Sequence, residues 1–589
     1  MPPSIPRVAA DRERPRRRRW PYVVVFVAVV VAWLAFSAFS LLRARHDANL
    51  GMDLLRQARS TLTPTDVVRG QGADILAAAE RDFARAHDRV DKPWLKPLEI
   101  VPVVGRQVRS IDALTGSARR VVAVGSDAMT RSRAQLSAPV VTGDARVQQV
   151  RALGSIASSA WRQLRSVDLG PGNALIGPLR DARTKFSHDL AKLRDALKNV
   201  DDASTGLAQL MQGPSRYLVV AANNAEMRAG SGMWLSAGLL DVQSGRFAVG
   251  DMRPTPDLAL DPGVVPITGD LAARWGWTVP NQEWRNLMMS PQLPANAELA
   301  ASMWRAQSPV PIDGVLVIDP VALQALLSAS GPVNVDGKVI DADNVVAYVL
   351  HDQYYGASTE TTQQAERREQ LSAIARAAIQ GIDQHGWDAS KLVDQLRTAA
   401  QGRHVLAWSS NPVQEKAWEA AGISGTFPRD SLMVSMLNRG GNKLDQYLHV
   451  DPTLVVTPTA TRTAATLQVA VSNQTPPDQP FYVEGPFPGT GLAAGEYLGI
   501  LAVNVPADAS NISIDNGAPL VAAGPDGDSR VVATYVRLAR GQSRTLTVRF
   551  TLPAGARTID VQPSARIPGE VWHFRDQQWV DSAARPLTW

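Results

Sequence analysis

The chain has 589 residues, of which 45% are apolar and 20% charged. These are globular proportions, and several domains are expected because single cores rarely exceed about 300 residues. The absence of cysteine excludes disulfides, thiolate metal sites and a cysteine nucleophile. The net charge of +5 lies entirely in residues 1–20, with seven arginines and two acids, so the neutral remainder does not suit a nucleic-acid-binding protein.

A membrane anchor is predicted directly after this basic cytoplasmic tail. Residues 21–42 (PYVVVFVAVVVAWLAFSAFSLL) carry no charge and are long enough, as a helix, to cross a hydrocarbon core of about 30 Å. The arginines place residues 1–20 inside the cell and everything after Leu42 outside. A signal peptide cleaved near AFS is the alternative, but its apolar part would have only about 7–15 residues. We therefore expect an uncleaved single-pass anchor in the plasma membrane, with an extracytoplasmic bulk.

Residues 43–212 are predicted to form a helical stalk or bundle. Leu76, Phe83 and Val90 recur every seven residues, with Ala79 and Ala86 between them, as on the packed face of an amphipathic helix. A coiled coil that binds a partner is the alternative, but the repeats are too short to require one.

Residues 213–449 alternate predicted strands with predicted helices, which indicates an α/β domain. Asp319 has the position of an N-cap, and Pro320 that of the first helical residue. Asp336 and Gly337 are expected to form the two-residue turn of a hairpin. A strand–helix–strand segment over 404–437 is expected to extend the same domain.

The last part of the chain, residues 450–589, is predicted to be β-structure alone. Segments such as TLQVAVS and TLTVRFTL alternate apolar and polar residues, which is typical of strands with one buried face. Turns rich in Pro, Gly and Asp separate these short strands. We therefore expect a C-terminal β-sandwich.

Common catalytic signatures are absent from the sequence, which has no nucleophile elbow, no HExxH and no P-loop. His351 and Asp352, followed by Tyr354 and Tyr355, offer an acid–base grouping. A histidine beside a carboxylate at a helix end is more often a surface group. Whether the protein is an enzyme stays open at this point.

Polar and charged residues interrupt the apolar pattern between the first two strands of the α/β domain. The stretch NNAEMRAGSG places Asn223, Glu226 and Arg228 there, and Arg253 ends the following strand. The ends of strands are where α/β sheets commonly bind ligands. This stretch is therefore either a polar turn or the edge of a binding site.

Arg367 and Arg368 lie beside the apolar stripe of a predicted helix. Cations near a buried face need an anionic partner. One alternative is an internal ion pair with Glu226, Asp251 or Asp257, and the other is a bound pyrophosphate or another polyanion. The candidate residues of an anion- or ligand-binding cleft are Arg228, Arg253, Arg367, Arg368, Asn223 and Glu226.

The segments YLVVAANNAEMRAGSGMWLS, IDGVLVIDPVALQALLSASGPVNVDG and GNKLDQYL, followed by a β-sandwich, resemble an uncharacterised family of actinobacterial membrane proteins. The resemblance covers about residues 213–560. The domain of that family has no known function, and its genes often accompany envelope-polysaccharide genes. The resemblance implies a role in the cell envelope without implying an activity.

A remoter resemblance is to the LytR-CpsA-Psr transferases, anchored exterior enzymes that move glycopolymers from a polyprenyl pyrophosphate carrier to the cell wall. Their strand–helix pattern maps onto residues 312–335, and AERREQ meets part of their arginine helix. AGSGMW stands where they carry a magnesium-binding aspartate. Their Pro-Arg-Asp becomes DMRPTPD, which keeps Arg253 and displaces the acid to Asp251 or Asp257. These two are the candidate metal residues, and Mg²⁺ is implied only if transferase activity is retained.

The sequence thus predicts a multidomain protein with an N-terminal transmembrane helix, a helical stalk, a LytR-CpsA-Psr-like α/β domain and a β-sandwich. We expect it to bind envelope polysaccharide, or to assist its assembly or attachment, through an arginine-lined anion site. A LytR-CpsA-Psr-like phosphotransferase is the alternative. The expected partners are the membrane and a polyprenyl-phosphate-linked glycan or envelope polysaccharide, and no nucleic acid.

Overall fold

Two units make up the chain in the computed structural model. The first unit comprises Met1–Leu62, Gln71–Asp127 and Gln163–Leu193, and the second comprises Thr63–Gly70, Ala128–Arg162 and Arg194–Trp589. The structure describes residues 20–61, 66, 71–138, 142–355, 372–383, 388–515 and 519–589.

Long helices occupy the N-terminal third of the chain: α1 (Trp20–Thr61), α2 (Ala73–Val90), α3 (Val104–Leu136), α4 (Gly143–Arg165) and α5 (Gly177–Gln212). Within the described ranges, α1 is the one helix long and apolar enough to cross a membrane. Its 42 residues span about 63 Å at about 1.5 Å per residue, so it extends well beyond a hydrocarbon core of about 30 Å. This is consistent with single-pass anchoring.

The predicted apolar stripe of α2 is confirmed in the first unit. Ala79, Phe83, Ala86 and Val90 are buried. Ala79 and Phe83 share a small core with residues of α3. The stripe is therefore the packed face of the helix.

The second unit contains a mixed sheet. Its strands are β1 (Ser215–Met227), β2 (Gly232–Gln243), β3 (Arg246–Val249), β4 (Arg253–Pro254), β5 (Gly314–Ile318) and β8 (Val405–Ser409), in the order β3-β2-β1-β5-β8 with β4 beside β2. β1 is antiparallel to β2 and parallel to β5, and β8 is antiparallel to β5. The remaining β-elements of this region, β6 (Val333–Val335) and β7 (Lys338–Ile340), form a separate hairpin.

Helices lie between the strands of the second unit along the chain. They are α6 (Gly269–Trp275), α7 (Leu293–Gln307), α8 (Pro320–Ser330), α9 (Val345–Leu350), α10 (Ala389–Gln401), α11 (Pro412–Ala421) and α12 (Phe481–Glu484), and residues 372–383 are also helical. Val219 of β1 belongs to an apolar core with Leu323 of α8, whereas Val220 belongs to a second core with Leu293 of α7. Successive side chains of a strand point to opposite faces, so β1 is buried on both sides.

The local signals predicted around α8 are confirmed. Asp319 caps the helix, since its Oδ1 accepts hydrogen bonds from the N–H groups of Val321 at 2.9 Å and Ala322 at 3.1 Å. Asp336 and Gly337 have φ angles of 51° and 79°, as the hairpin turn between β6 and β7 requires.

Two six-stranded sheets follow, with the orders β13-β16-β11-β10-β18-β19 and β14-β15-β12-β9-β17-β20. Residues of both sheets contribute to one large apolar core. The strands are β9 (Ser431–Asn438), β10 (Leu448–Pro458), β11 (Arg462–Asn473), β12 (Tyr497–Pro506), β13 (Ser510–Asp515), β14 (Leu520–Asp526), β15 (Ser529–Leu538), β16 (Ser543–Pro553), β17 (Thr558–Val561), β18 (Val571–Phe574), β19 (Gln577–Val580) and β20 (Arg585–Thr588).

Strand β9 belongs to the strand–helix–strand segment that was expected to extend the α/β domain. It pairs with β12 and β17 of a C-terminal sheet instead. All eight of its residues are buried, so its apolar pattern fits the interior of either sheet and does not reveal its partners.

Candidate functional site

The polar stretch that the sequence suggested as a turn is the buried end of β1. The strand continues to Met227 through two irregularities in its pairing with β2. Asn223, Asn224, Glu226 and Arg228 are each at most 6% exposed. Buried polar groups require partners, and here those partners come from distant parts of the chain.

The two asparagines bind residues of both the α/β part and the C-terminal part. The amide of Asn223 donates to the hydroxyl of Tyr354 at 3.0 Å. The amide of Asn224 donates to Oδ2 of Asp319 at 2.9 Å and to the carbonyl oxygen of Ala565 at 2.7 Å. The helix cap of α8 therefore also holds the end of β1.

Glu226 forms a buried ion pair with Lys443, which follows β9. The Nζ of Lys443 also lies 4.9 Å from the ring centroid of Tyr482 and 5.4 Å from that of Tyr354. Burial alone would lower the pKa of Lys443, but Glu226 and the two tyrosines raise this pKa above its usual value. Lys443 is thus a fixed positive charge at neutral pH.

A cavity of about 500 Å³ lies next to this ion pair. The end of β1 contributes Asn223 and Glu226 to its wall, and Arg228 follows directly after the strand. The segment before α7 contributes Glu283, Arg285 and Asn286, and the segment from the end of β9 onward contributes Asn438, Arg439 and Lys443. Tyr354, Tyr482 and Phe487 provide aromatic surface.

Positive charge exceeds negative charge in the lining. Its two acids are both paired: Glu226 with Lys443, and Glu283 with Arg285, whose Nε donates to Oε1 at 2.9 Å. Hydrogen bonds from Arg285 hold the pKa of Glu283 below its usual value, although burial alone would raise it. Two further cations, Arg228 and Arg439, line the cavity without a carboxylate within 4 Å among the residues that the structure describes.

The guanidinium of Arg228 is held by backbone oxygens. Its Nε donates to the carbonyl of Arg285 at 2.7 Å, and its Nη1 donates to the carbonyls of Met227 and Asn438, both at 3.0 Å. Burial, followed by repulsion from Arg439, lowers the pKa of Arg228 to about 10. Arg228 is therefore charged at neutral pH, and it is repelled by Arg439 and attracted by the carboxylates of Glu226 and Asp445.

Arg439 stands half-buried in the same wall. Its Nη1 donates to Oδ1 of Asn286 at 3.3 Å, and its guanidinium carbon lies 5.6 Å from a ring centroid of Trp277. Neutral partners position this side chain and leave its charge uncompensated.

Arg253 and Asp251, which the sequence also suggested for the site, do not line the cavity. Arg253 is exposed, and its Nη2 donates to the carbonyl oxygen of Asp257 at 3.1 Å. Asp251 is exposed and lies 3.5 Å from Arg376. Arg367 and Arg368, the other two predicted arginines, lie outside the described residues.

The proposed metal residues Asp251 and Asp257 are exposed side chains. Across the described part of the chain, no three histidine or acidic side chains are grouped so that they could hold a metal ion. The cations of the cavity are therefore the chemical feature that the structure brings together.

The acid–base grouping suggested by the sequence is present near the end of α9. Nδ1 of His351 lies 2.7 Å from Oδ1 of Asp352, and its Nε2 lies 3.0 Å from the hydroxyl of Tyr355. That hydroxyl in turn donates to Gln479 at 3.0 Å. Tyr354, the neighbour of this group in the chain, lines the cavity, but the group itself does not.

Arg285, Arg439 and Lys443 are site residues that sequence reasoning missed. A signal existed for two of them: RGGNK follows a strand in which every residue is buried, so a cluster of charges begins where a packed segment ends. Nothing local indicates Arg285, because its place in the wall depends on how the segment before α7 packs.

Comparison with known proteins matches part of the chain to a family model. Residues 212–354 match the model of a family described as a protein of unknown function (DUF4012). The expected resemblance to a domain of unknown function is thus confirmed, and the matched range contains the whole buried end of β1. No curated protein and no solved structure matches the chain.

Proposed function

We propose that this protein, which carries a domain of unknown function at residues 212–354, is a membrane-anchored extracytoplasmic protein of the bacterial cell envelope. In this proposal it binds an anionic envelope polysaccharide, or the polyprenyl-phosphate-linked precursor of one, and so assists its assembly or attachment. The helix α1 would be the anchor. The arginines of residues 1–20 favour a cytoplasmic N-terminus.

The observation that carries the proposal is the pair Arg228 and Arg439. Both line one cavity, and no carboxylate of the described residues pairs with either. Hydrogen bonds from a guanidinium to phosphate or carboxylate are charge-assisted and therefore stronger than neutral ones. A phosphate or an acidic sugar at this position would compensate both charges.

The size and the aromatic wall of the cavity also support a glycan ligand. A volume of about 500 Å³ lies within the range of about 300–1,000 Å³ usual for small-molecule sites. It suits one or two charged sugar units and not a whole polymer. Tyr354, Tyr482 and Phe487 offer large apolar ring surface on which the C–H face of a sugar ring can pack.

We also propose that the two C-terminal sheets form a β-sandwich. Leu454 and Leu467 of one sheet share an apolar core with Leu501 and Val532 of the other, as expected for face-to-face packing. The likeness of the α/β part to LytR-CpsA-Psr transferases is likewise a proposal. It is supported by residues 312–335, where a strand, the Asp319 cap, a helix and the first strand of a hairpin follow one another.

Binding and not transfer is proposed because the cations of the cavity are present as a group and a carboxylate cluster is not, within the described residues. The test is mass spectrometry of lipids and glycans that copurify with the full-length protein from its own membranes in mild detergent. We expect a polyprenyl-phosphate-linked glycan or an anionic polysaccharide fragment. Ordinary phospholipids alone would contradict the proposal, and release of polyprenyl phosphate on adding Mg²⁺ and a wall acceptor would establish the transferase alternative.

A further inference from the structure

A short segment of the first unit, residues 94–104, contacts the apolar part of α1. The indole Nε1 of Trp33 donates to the carbonyl oxygen of Trp94 at 2.9 Å. The rings of Phe36 and Trp94 lie with their centroids 5.5 Å apart. This segment is therefore fixed against α1 at the level of these two side chains.

That level is inside the uncharged part of α1. Trp33 and Phe36 lie nine and six residues before Leu42, the last residue of the uncharged segment. At about 1.5 Å per residue, they are about 13 Å and about 9 Å from its end. If α1 crosses the bilayer, Trp94 is held at the depth of the hydrocarbon region.

The segment has a protein-facing side and an exposed side, and both are apolar. Leu95 and Leu98 are buried in a small core with Ala44 of α1. On the other side, the exposed fractions are 85% for Ile100 and 57% for Val103. Val101 and Val104 are also more than 40% exposed.

A run of exposed aliphatic side chains is unusual on a protein surface that contacts only water. Large contiguous apolar patches on such surfaces mark interaction sites. Here the run continues the lipid-facing surface of α1, on which Phe36 and Phe39 are each 53% exposed. We infer that residues 94–104 are a second membrane-contacting element, which lies in the bilayer leaflet on the Leu42 side of α1.

Charged residues within and beside the segment have partners on the protein: Lys96 and Glu99 lie inside it, and Arg109 follows it. Lys96 pairs with Asp91 at 2.8 Å, and the Nη1 of Arg109 donates to the carbonyl of Glu99 at 2.5 Å. Long basic side chains reach from an apolar environment to the headgroup region. The segment would fix the tilt and rotation of α1 at a second point of contact. This inference depends on α1 spanning the membrane and is independent of the anion cavity.

The absence of cysteine allows a direct test with spin labels on the full chain in lipid nanodiscs. Single variants Ile100→Cys and Val103→Cys carry the label in the segment. Phe39→Cys is the control on the lipid-facing surface of α1, and Asp53→Cys is the control about 16 Å beyond Leu42. The measured quantity is the rate at which the label collides with oxygen, compared with the rate at which it collides with a water-soluble nickel chelate.

We expect the labels at Ile100 and Val103 to behave like the label at Phe39. They should be highly accessible to oxygen and less accessible to the chelate than the label at Asp53 is. Labels that behave like the one at Asp53 would overturn the inference. Labels protected from both reagents would also overturn it, because they would indicate coverage by a second copy or another protein. If the Phe39 label is itself accessible to the chelate, the membrane anchor fails together with the inference.

Discussion

The carboxylate of Glu226 accepts a hydrogen bond from the Nζ of Lys443, which lies 217 residues further along the chain, and both side chains are buried. Glu226 belongs to the α/β sheet, whereas Lys443 follows a strand of a C-terminal sheet. The family match ends at residue 354 and so includes only the first of the two. The cavity therefore requires residues from both parts of the chain.

Removing the positive partner of this pair should destabilise the protein strongly. Lys443→Met leaves Glu226 buried without a counter-charge, which typically costs about 3–5 kcal/mol. Thermal unfolding in detergent should show a lower midpoint, and the double variant Glu226→Gln/Lys443→Met should recover part of the loss. Lys416→Met is the control, since its pair with Asp202 is 61% exposed on the lysine side and should contribute at most about 1 kcal/mol. Equal effects of the two lysine variants would contradict this assignment.

Anion binding should depend on Arg439 more than on arginines elsewhere. Arg439→Gln removes a charge-assisted hydrogen bond, typically about 1.5–3 kcal/mol, so the affinity for inorganic pyrophosphate should fall roughly tenfold to a hundredfold. Arg429→Gln is the matched control, because Arg429 is exposed and pairs with Asp508. Isothermal titration calorimetry measures the affinity of each variant for pyrophosphate. Similar affinities for the two variants would remove Arg439 from the site.

The close approach of β2 to the polar end of β1 should exclude any side chain at Gly232. A Cβ atom there would lie 2.3 Å from the backbone carbon of Asn223 and 2.7 Å from the backbone nitrogen of Asn224. Backbone atoms cannot yield as a side chain does, so Gly232→Ala should displace the Asn223–Arg228 segment. We expect lower thermal stability and weakened anion binding. Gly276→Ala, where no atom lies within 4 Å, should change neither.

The pair of His404 and Asp319 should make stability depend on pH. Burial alone would lower the pKa of His404, but Asp319, 2.7 Å away, raises this pKa above its usual value. A raised pKa in the folded state means that the pair stabilises fully below the unfolded value of about 6.5 and loses this effect as pH rises through the folded pKa.

The free energy of unfolding of the wild type should therefore exceed that of His404→Gln most clearly in mild acid. The difference between the two proteins should shrink as pH rises. Denaturant titrations across this range test the prediction. A difference that does not change with pH would show that the pair contributes through packing alone.

The parts of the fold that local chemistry decides could be predicted from the sequence. Asp319 caps α8 because its side chain reaches N–H groups two and three residues ahead, and the Asp336-Gly337 turn depends only on its own φ angles. Phe83 and Val90 show the packed face of α2 through their spacing. Each of these signals is contained within a few turns or residues of the chain.

The parts that depend on packing between distant segments could not be predicted. Asn223 and Glu226 were recognised as unusual, but their partners Tyr354 and Lys443 come from segments whose approach no local pattern encodes. Arg253 was expected beside Arg228 because both follow strands, yet it is exposed and does not line the cavity. Position at a strand end does not determine the direction in which a long side chain points.

The central claim is that the cavity holds an anionic glycan or its lipid-linked precursor. The most direct test compares the copurifying lipids and glycans of the wild type, Arg439→Gln and Arg429→Gln, each isolated from the same native membranes and measured by quantitative mass spectrometry. We predict one anionic glycan species that is retained by the wild type and Arg429→Gln and lost from Arg439→Gln. Equal amounts of every such species in all three proteins would contradict it.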